Sequence, residues 1–122
     1  MKFEIPVKPV TKKNSQRIVT AHGRAFIVPS LAYKAYEKEA FSHLPKLEQP
    51  IDYPVEIKCI FYMPTHRRVD LTNLLEAIDD ILVGGGVLKD DCSTILVSHD
   101  GSRVLYDKDY PRTEVTIREV TE

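Results

Sequence analysis

The chain is 122 residues long, which predicts one domain over residues 1–122 and leaves little room for two. Its 43% hydrophobic and 29% charged residues match a globular protein and exclude a disordered one. A formal net charge of −1 argues against a generic basic nucleic-acid binder, so phosphate contacts would have to come from local clusters of charge.

Taken in chain order, Lys2 to Val7 alternate loosely and predict a strand, with Pro6 favouring a sheet edge. Thr11 to Gln16 is a polar loop. Arg17 to Val28 contains two β-rich pieces around His22-Gly23, a hairpin signal. Pro29-Ser30 opens a helix with Ser30 as N-cap, and Tyr33, Tyr36, Ala40 and Leu44 recur at helical spacing until Pro45. Leu47 to Tyr53 is a connection. Val55, Ile57, Cys59, Phe61 and Met63 predict a strand ending at Pro64. The second helix carries Leu71, Leu74, Leu75, Ile78, Ile81 and Leu82 on one apolar face. Asp70 stands at its N-cap position, and Gly84-Gly85-Gly86 stops it. Ser93 to Ser98 and Thr113 to Val120 are further strands. This order predicts a two-layer α+β domain, with a mixed or antiparallel sheet of about four or more strands and two main helices.

No apolar run approaches the roughly 18 residues of a membrane helix, and the N-terminus lacks a signal-peptide apolar region. Cys59 and Cys92 have no second thiol near them in sequence and fit core or near-core positions. A cytoplasmic protein without a membrane partner is the expectation.

Charge is segregated along the chain. Residues 1–30 carry Lys2, Lys8, Lys12, Lys13, Arg17 and Arg24 against Glu4 alone. Residues 69–100 carry Asp70, Glu76, Asp79, Asp80, Asp90, Asp91 and Asp100 against Lys89 alone. At about 100° per residue, Thr72, Asn73, Glu76, Asp79 and Asp80 fall opposite the apolar face of the second helix. Asn73, Glu76 and Asp80 line one stripe with Asp70 at its end, and Asp90-Asp91 can fold back toward that end. Mg²⁺ takes oxygen ligands, usually one or two carboxylates plus water and phosphate. The plain alternative is a helix cap at Asp70, a solvated face at Glu76, Asp79 and Asp80, and an acidic turn at Asp90-Asp91. Two features favour a metal: residues 70–83 contain no lysine to relieve the crowded charge, and the three glycines allow a tight turn.

The run Arg67-Arg68-Val69-Asp70-Leu71-Thr72-Asn73-Leu74-Leu75-Glu76-Ala77, then Asp80-Ile81-Leu82, then Gly86-Val87-Leu88-Lys89-Asp90-Asp91 resembles the RusA family signature. These are Holliday junction resolvases, often carried by prophages. The likeness extends weakly to Pro6, Lys8, the Lys12–Arg17 loop and Pro29-Ser30. It implies a RusA-like fold and a homodimeric, Mg²⁺-dependent endodeoxyribonuclease, with Mn²⁺ as a substitute, that resolves four-way DNA junctions in recombination and repair. Asp70 and Asp91 match catalytic aspartates of the pattern, and Asn73, Asp80 and Asp90 match further motif positions.

Two positions depart from the pattern. Thr72 stands where the family has a second aspartate, and Glu76 where it has a catalytic lysine. Thr72 and Glu76 are i, i+4 neighbours, so a carboxylate moved one turn along the helix is one reading. A non-catalytic module that binds branched DNA is the other. On the first, Asp70, Glu76, Asp90 and Asp91 form the catalytic set, with Asp70, Asp91 and Glu76 holding metal. No lysine is placed to replace the missing one. Lys89 is a candidate, more simply read as a solvated turn residue.

For DNA, Arg67 and Arg68 beside Asp70 suit phosphates, and Lys12, Lys13, Arg17 and Asn73 add donors. Each also fits a plain surface role. His99 and Asp100, adjacent in sequence, point to opposite faces if extended and form no catalytic pair. His22 and His43 read as structural or exposed. Tyr33 and Tyr36 read as a buried helix face. A third reading is a protein-interaction domain with an acidic face.

Overall fold

A computed structural model describes residues 1–12 and 16–121. Its centre is β4 (Val55–Met63), whose Val55, Ile57, Cys59 and Phe61 are buried while the residues between them are not. That alternation puts one face of the strand in the core and turns the other outward. On one side β4 pairs antiparallel with β7 (Arg112–Glu119), which pairs antiparallel with the edge strand β1 (Lys2–Ile5). On the other side β5 (Leu96–Ser98) and β6 (Arg103–Tyr106) pair in turn with the same edge of β4, both parallel to it. The sheet is therefore mixed.

Two helices share the core with this sheet, giving the expected two-layer α+β arrangement. Helix α1 (Leu31–Phe41) starts on Ser30, whose Oγ accepts a 3.1 Å hydrogen bond from the Tyr33 amide. It buries Tyr33, Tyr36 and Ala40. The helix stops earlier than the spacing to Leu44 predicts. Ser42, His43 and Leu44 donate to carbonyls three residues back, because Pro45 disfavours helical backbone at the residue before it. Helix α2 (Leu71–Gly84) buries Leu74, Ala77, Ile78, Ile81 and Leu82.

The hairpin lies where His22-Gly23 predicts it, between β2 (Gln16–Ala21) and β3 (Arg24–Pro29), as a separate two-stranded sheet. His22 (φ 51°) and Gly23 (φ 74°) both take the left-handed backbone that a two-residue primed turn requires.

Two expectations for the second half are corrected. Of Ser93–Ser98 only Leu96–Ser98 is extended, because the Ile95 and Leu96 amides both turn back to the Cys92 carbonyl. That turn leaves Cys92 exposed, whereas Cys59 is buried as expected. Strand β6 has no forerunner in the sequence reading. Between β5 and β6 the ladder on β4 is completed by side chains: Ser102 Oγ accepts from the Cys59 amide at 2.9 Å, and His99 Nδ1 lies 2.8 Å from the Ile57 carbonyl oxygen. No described helix is long and apolar enough to cross a membrane.

Candidate functional site

The segment Thr65–Val69 carries the chain from the end of β4 into α2 and delivers Asp70 to the helix N-terminus. Asp70 occupies the N-cap position, yet its side chain makes no capping hydrogen bond. Its Oδ2 instead accepts from Asn73 Nδ2 at 3.3 Å. An exposed carboxylate at a helix start that caps nothing remains available to a ligand. Thr72 and Glu76 are both exposed one turn apart on this helix, with Asn73 and Asp80 half-buried along the same stripe.

The loop after α2 is tightly held. The Val87 and Leu88 amides donate to the Leu82 carbonyl, and the chain is pinned across Ile51 by bonds from the Ile51 and Lys89 amides. Gly86 takes φ +80°, and Gly85 packs too closely against Leu44 and Phe41 to carry a side chain. The glycines thus serve the packing of the turn as well as its direction. Beyond it, Asp90 Oδ1 accepts a 2.8 Å bond from the Asp91 amide. The Asp91 carboxylate is exposed and makes no hydrogen bond among the described residues. Its negative charge helps raise the pKa of Asp79, so it lies within electrostatic reach of the third turn of α2. Among the described residues, no three His, Cys, Asp or Glu side chains gather closely enough to hold a metal ion.

One basic group differs from expectation and another meets it. Lys12 Nζ reaches Asp80 Oδ2 at 3.2 Å and sits 5.9 Å from the Tyr33 ring centre. A lysine is therefore placed on the acidic stripe after all, delivered by the loop after β1. The spacing of residues along α2 gives no sign of it. Lys89 pairs with Asp52 at 3.2 Å in an exposed position, as a surface turn residue does.

Arg67 and Arg68 are exposed and form no ion pair among the described residues. Lys13 lies outside the described residues, as does the side chain of Arg17 at the start of β2.

A second pair escapes sequence reasoning entirely. Asp79 is not a solvated face residue: its Oδ2 lies 2.9 Å from His99 Nε2, and both side chains are largely buried. Burial pushes the Asp79 carboxyl up, and this outweighs the opposing pull of His99. Burial works against the His99 charge too, but the hydrogen bond and charge of Asp79, with the Ile57 carbonyl, carry its pKa above the ordinary value. The signal lay in the half-apolar surroundings of Asp79, one position from the buried Ile78. The partner, 20 residues on, could not be read from spacing.

The chain matches no individual curated protein. The family model described as endodeoxyribonuclease RusA matches residues 6–118, which span both helices, the hairpin and the sheet apart from β1 and the last residue of β7. With the motif of Asp70 through Asp91 on one helix and its following loop, the chain therefore belongs to the RusA endodeoxyribonuclease family of Holliday junction resolvases.

Proposed function

We propose that this protein is a divalent-metal-dependent endonuclease that cuts four-way DNA junctions as a homodimer in the cytoplasm, serving recombination and repair. The observation that carries the proposal is the grouping of Arg67, Arg68 and Asp70 at the exposed start of α2, where the arginines form no ion pair among the described residues and the Asp70 carboxylate does not cap the helix. Arginine grips a phosphate through two parallel hydrogen bonds, which sets the position of the backbone as well as holding it. Asn73 orients Asp70 by donating to its Oδ2. Lys12 offsets the charge of Asp80, which lowers the repulsion that an incoming phosphate meets on this face.

The donor chemistry suits a hard cation. Asp70, Glu76 and Asp91 are exposed carboxylates, the oxygen donors that Mg²⁺ takes, usually one or two at a time with water and phosphate completing its shell. Asp70 and Asp91 would hold it, with Glu76 acting through a bound water because no three acids gather at one place among the described residues, and Asp90 orders the Asp91 backbone. When bound, Mg²⁺ or Mn²⁺ supplies an activated water and a countercharge for the phosphate oxygens.

Pairing of two copies is supported by the hairpin. Ile18 and Ile27 face each other across its strands, 73% and 70% exposed. Such a patch calls for a partner surface, and a four-way junction offers two related cutting sites.

Thr72 and Glu76 in place of the family aspartate and lysine favour a second reading, a module that binds junctions without cutting them. One experiment separates the two. A synthetic four-way junction is incubated with the wild-type protein with and without Mg²⁺, beside Asp70→Asn and Glu76→Gln. Metal-dependent nicking lost in both variants supports the enzyme and the moved carboxylate. Nicking retained in Glu76→Gln removes Glu76 from the site, and tight binding without nicking establishes the module.

A further inference from the structure

The loop entering α2 and the end of β6 bring two exposed aromatic rings together. His66 and Tyr106 stack with ring centres 4.0 Å apart and planes 25° from parallel. Tyr106 pairs with Met63 at the last rung between β6 and β4, and His66 follows three residues after that rung. Tyr106 is 44% exposed, His66 is exposed, and neither ring makes a hydrogen bond among the described residues. A stack of this kind inside a core would be packing. At the surface it leaves flat aromatic area in water.

What surrounds the stack identifies what would cover it. The two rings, with Arg67, Arg68 and Val104, wall an open cleft of about 430 Å³. The same two arginines wall an adjoining cleft that contains Lys8 and Thr11. They form a cationic ridge between an aromatic cleft and a basic one, and Asp70 follows two residues later.

We propose that the aromatic cleft receives one unpaired nucleobase, stacked on the His66–Tyr106 pair, while Arg67 and Arg68 hold the phosphates on either side of it. The inference rests on the reading that the protein acts on branched DNA. A ridge that gripped phosphates alone would need no aromatic rings beside it. A stacking surface accepts any base, since every base has a π face, so the cleft selects for an unpaired base and not for a sequence. A branch point interrupts base stacking, so opening a base there costs less than inside an intact duplex. With the base parked there, the adjacent phosphate is led toward Asp70.

The test uses a four-way junction with 2-aminopurine at the branch point and a duplex of equal length, in EDTA so that nothing is cut. The proteins are wild type, Tyr106→Ala, His66→Ala and Tyr106→Phe. Wild type should change the 2-aminopurine emission and bind the junction more tightly than the duplex. Each alanine variant should abolish the emission change and weaken junction binding about tenfold, with duplex binding unchanged. Tyr106→Phe should behave as wild type. Should Tyr106→Ala lose its circular dichroism, His66→Ala on the exposed loop decides the matter. Alanine variants that match wild type on the junction, or that lose junction and duplex equally, overturn the stacking cleft while leaving DNA binding in place. A wild-type protein that binds neither DNA overturns the reading beneath it as well.

Discussion

His99 bridges two layers of the fold: its Nδ1 lies 2.8 Å from the carbonyl oxygen of Ile57 on β4, and its Nε2 lies 2.9 Å from Asp79 Oδ2 on α2. A carbonyl oxygen only accepts, so Nδ1 carries a hydrogen. The Nε2–Oδ2 contact then needs one further proton, on the ring or on the carboxyl. The pair therefore always holds a proton while the bridge is intact. Asp79 Oδ1 is buried without a partner among the described residues, so the bridge is what offsets the burial of this group.

Stability should fall as pH rises. Both folded-state pKa values lie above their ordinary ones, so the folded chain binds protons more tightly than the unfolded chain. For His99, the contribution is full below about pH 6.5 and is lost as pH climbs through its higher folded value. For Asp79, the loss begins above the ordinary carboxyl range and ends at its raised value. Urea unfolding at pH 6 should show His99→Gln less stable by about 2 kcal/mol, and the gap should narrow by pH 9. A gap independent of pH would assign His99 a packing role only.

Lys12 should matter to DNA more than to folding. Its side chain and that of Asp80 are each 37% exposed, and an ion pair at that exposure stabilises by less than about 1 kcal/mol. Lys12→Met should therefore unfold within that margin of wild type. Junction binding or cleavage should fall by about tenfold, because the acidic stripe then meets phosphate unscreened. Lys12→Arg should retain most of the function. An equal loss of stability and activity would make Lys12 a structural residue.

Much of this architecture was legible because it rests on local rules. The alternation of Val55 to Met63, the apolar stripe of Leu74 to Leu82, the Ser30 cap and the His22-Gly23 turn each depend on neighbours in sequence. Strand β6 was not legible. Arg103–Tyr106 has little burial to write a pattern, and it reaches β4 only after the gap beyond β5 is bridged by the side chains of His99 and Ser102. The site divides the same way. Asp70 and Asp91 were marked by the motif, whereas Lys12–Asp80 and His99–Asp79 join residues 68 and 20 positions apart. Such pairs exist only once the sheet has brought α2 against distant loops. The cap at Asp70 was predicted by position alone, and its carboxylate turned to Asn73 instead.

Gly85 and Gly86 should resist substitution for different reasons. A Cβ at Gly85 would overlap Leu44 Cδ1 and come within 3.0 Å of the Ile81 carbonyl oxygen and 3.1 Å of Phe41 Cδ1. Leu44 can rotate away, but the backbone oxygen cannot, so Gly85→Ala should cost about 1–3 kcal/mol. At Gly86 there is open space and a φ of +80°, so Gly86→Ala should cost roughly 1 kcal/mol from backbone strain. Trimming the neighbour tests the distinction. Leu44→Ala should reduce the penalty of Gly85→Ala and leave that of Gly86→Ala unchanged in thermal unfolding.

Arg67 and Arg68 should set the salt dependence of DNA binding. Each phosphate neutralised releases bound cations, so the logarithm of affinity falls with the logarithm of salt by about 0.9 per contact on duplex DNA. Both arginines lie on an exposed loop and pair with no acid among the described residues, so removing them should leave folding intact. Arg67→Ala and Arg68→Ala should each lower that slope by about 1, for junction and duplex alike. This pattern separates them from Tyr106, whose loss should lower affinity for the junction with the slope unchanged. A slope that stays at the wild-type value in Arg67→Ala and Arg68→Ala would place the phosphates elsewhere on the protein. The aromatic cleft beside them would then lose the charge that identifies its occupant.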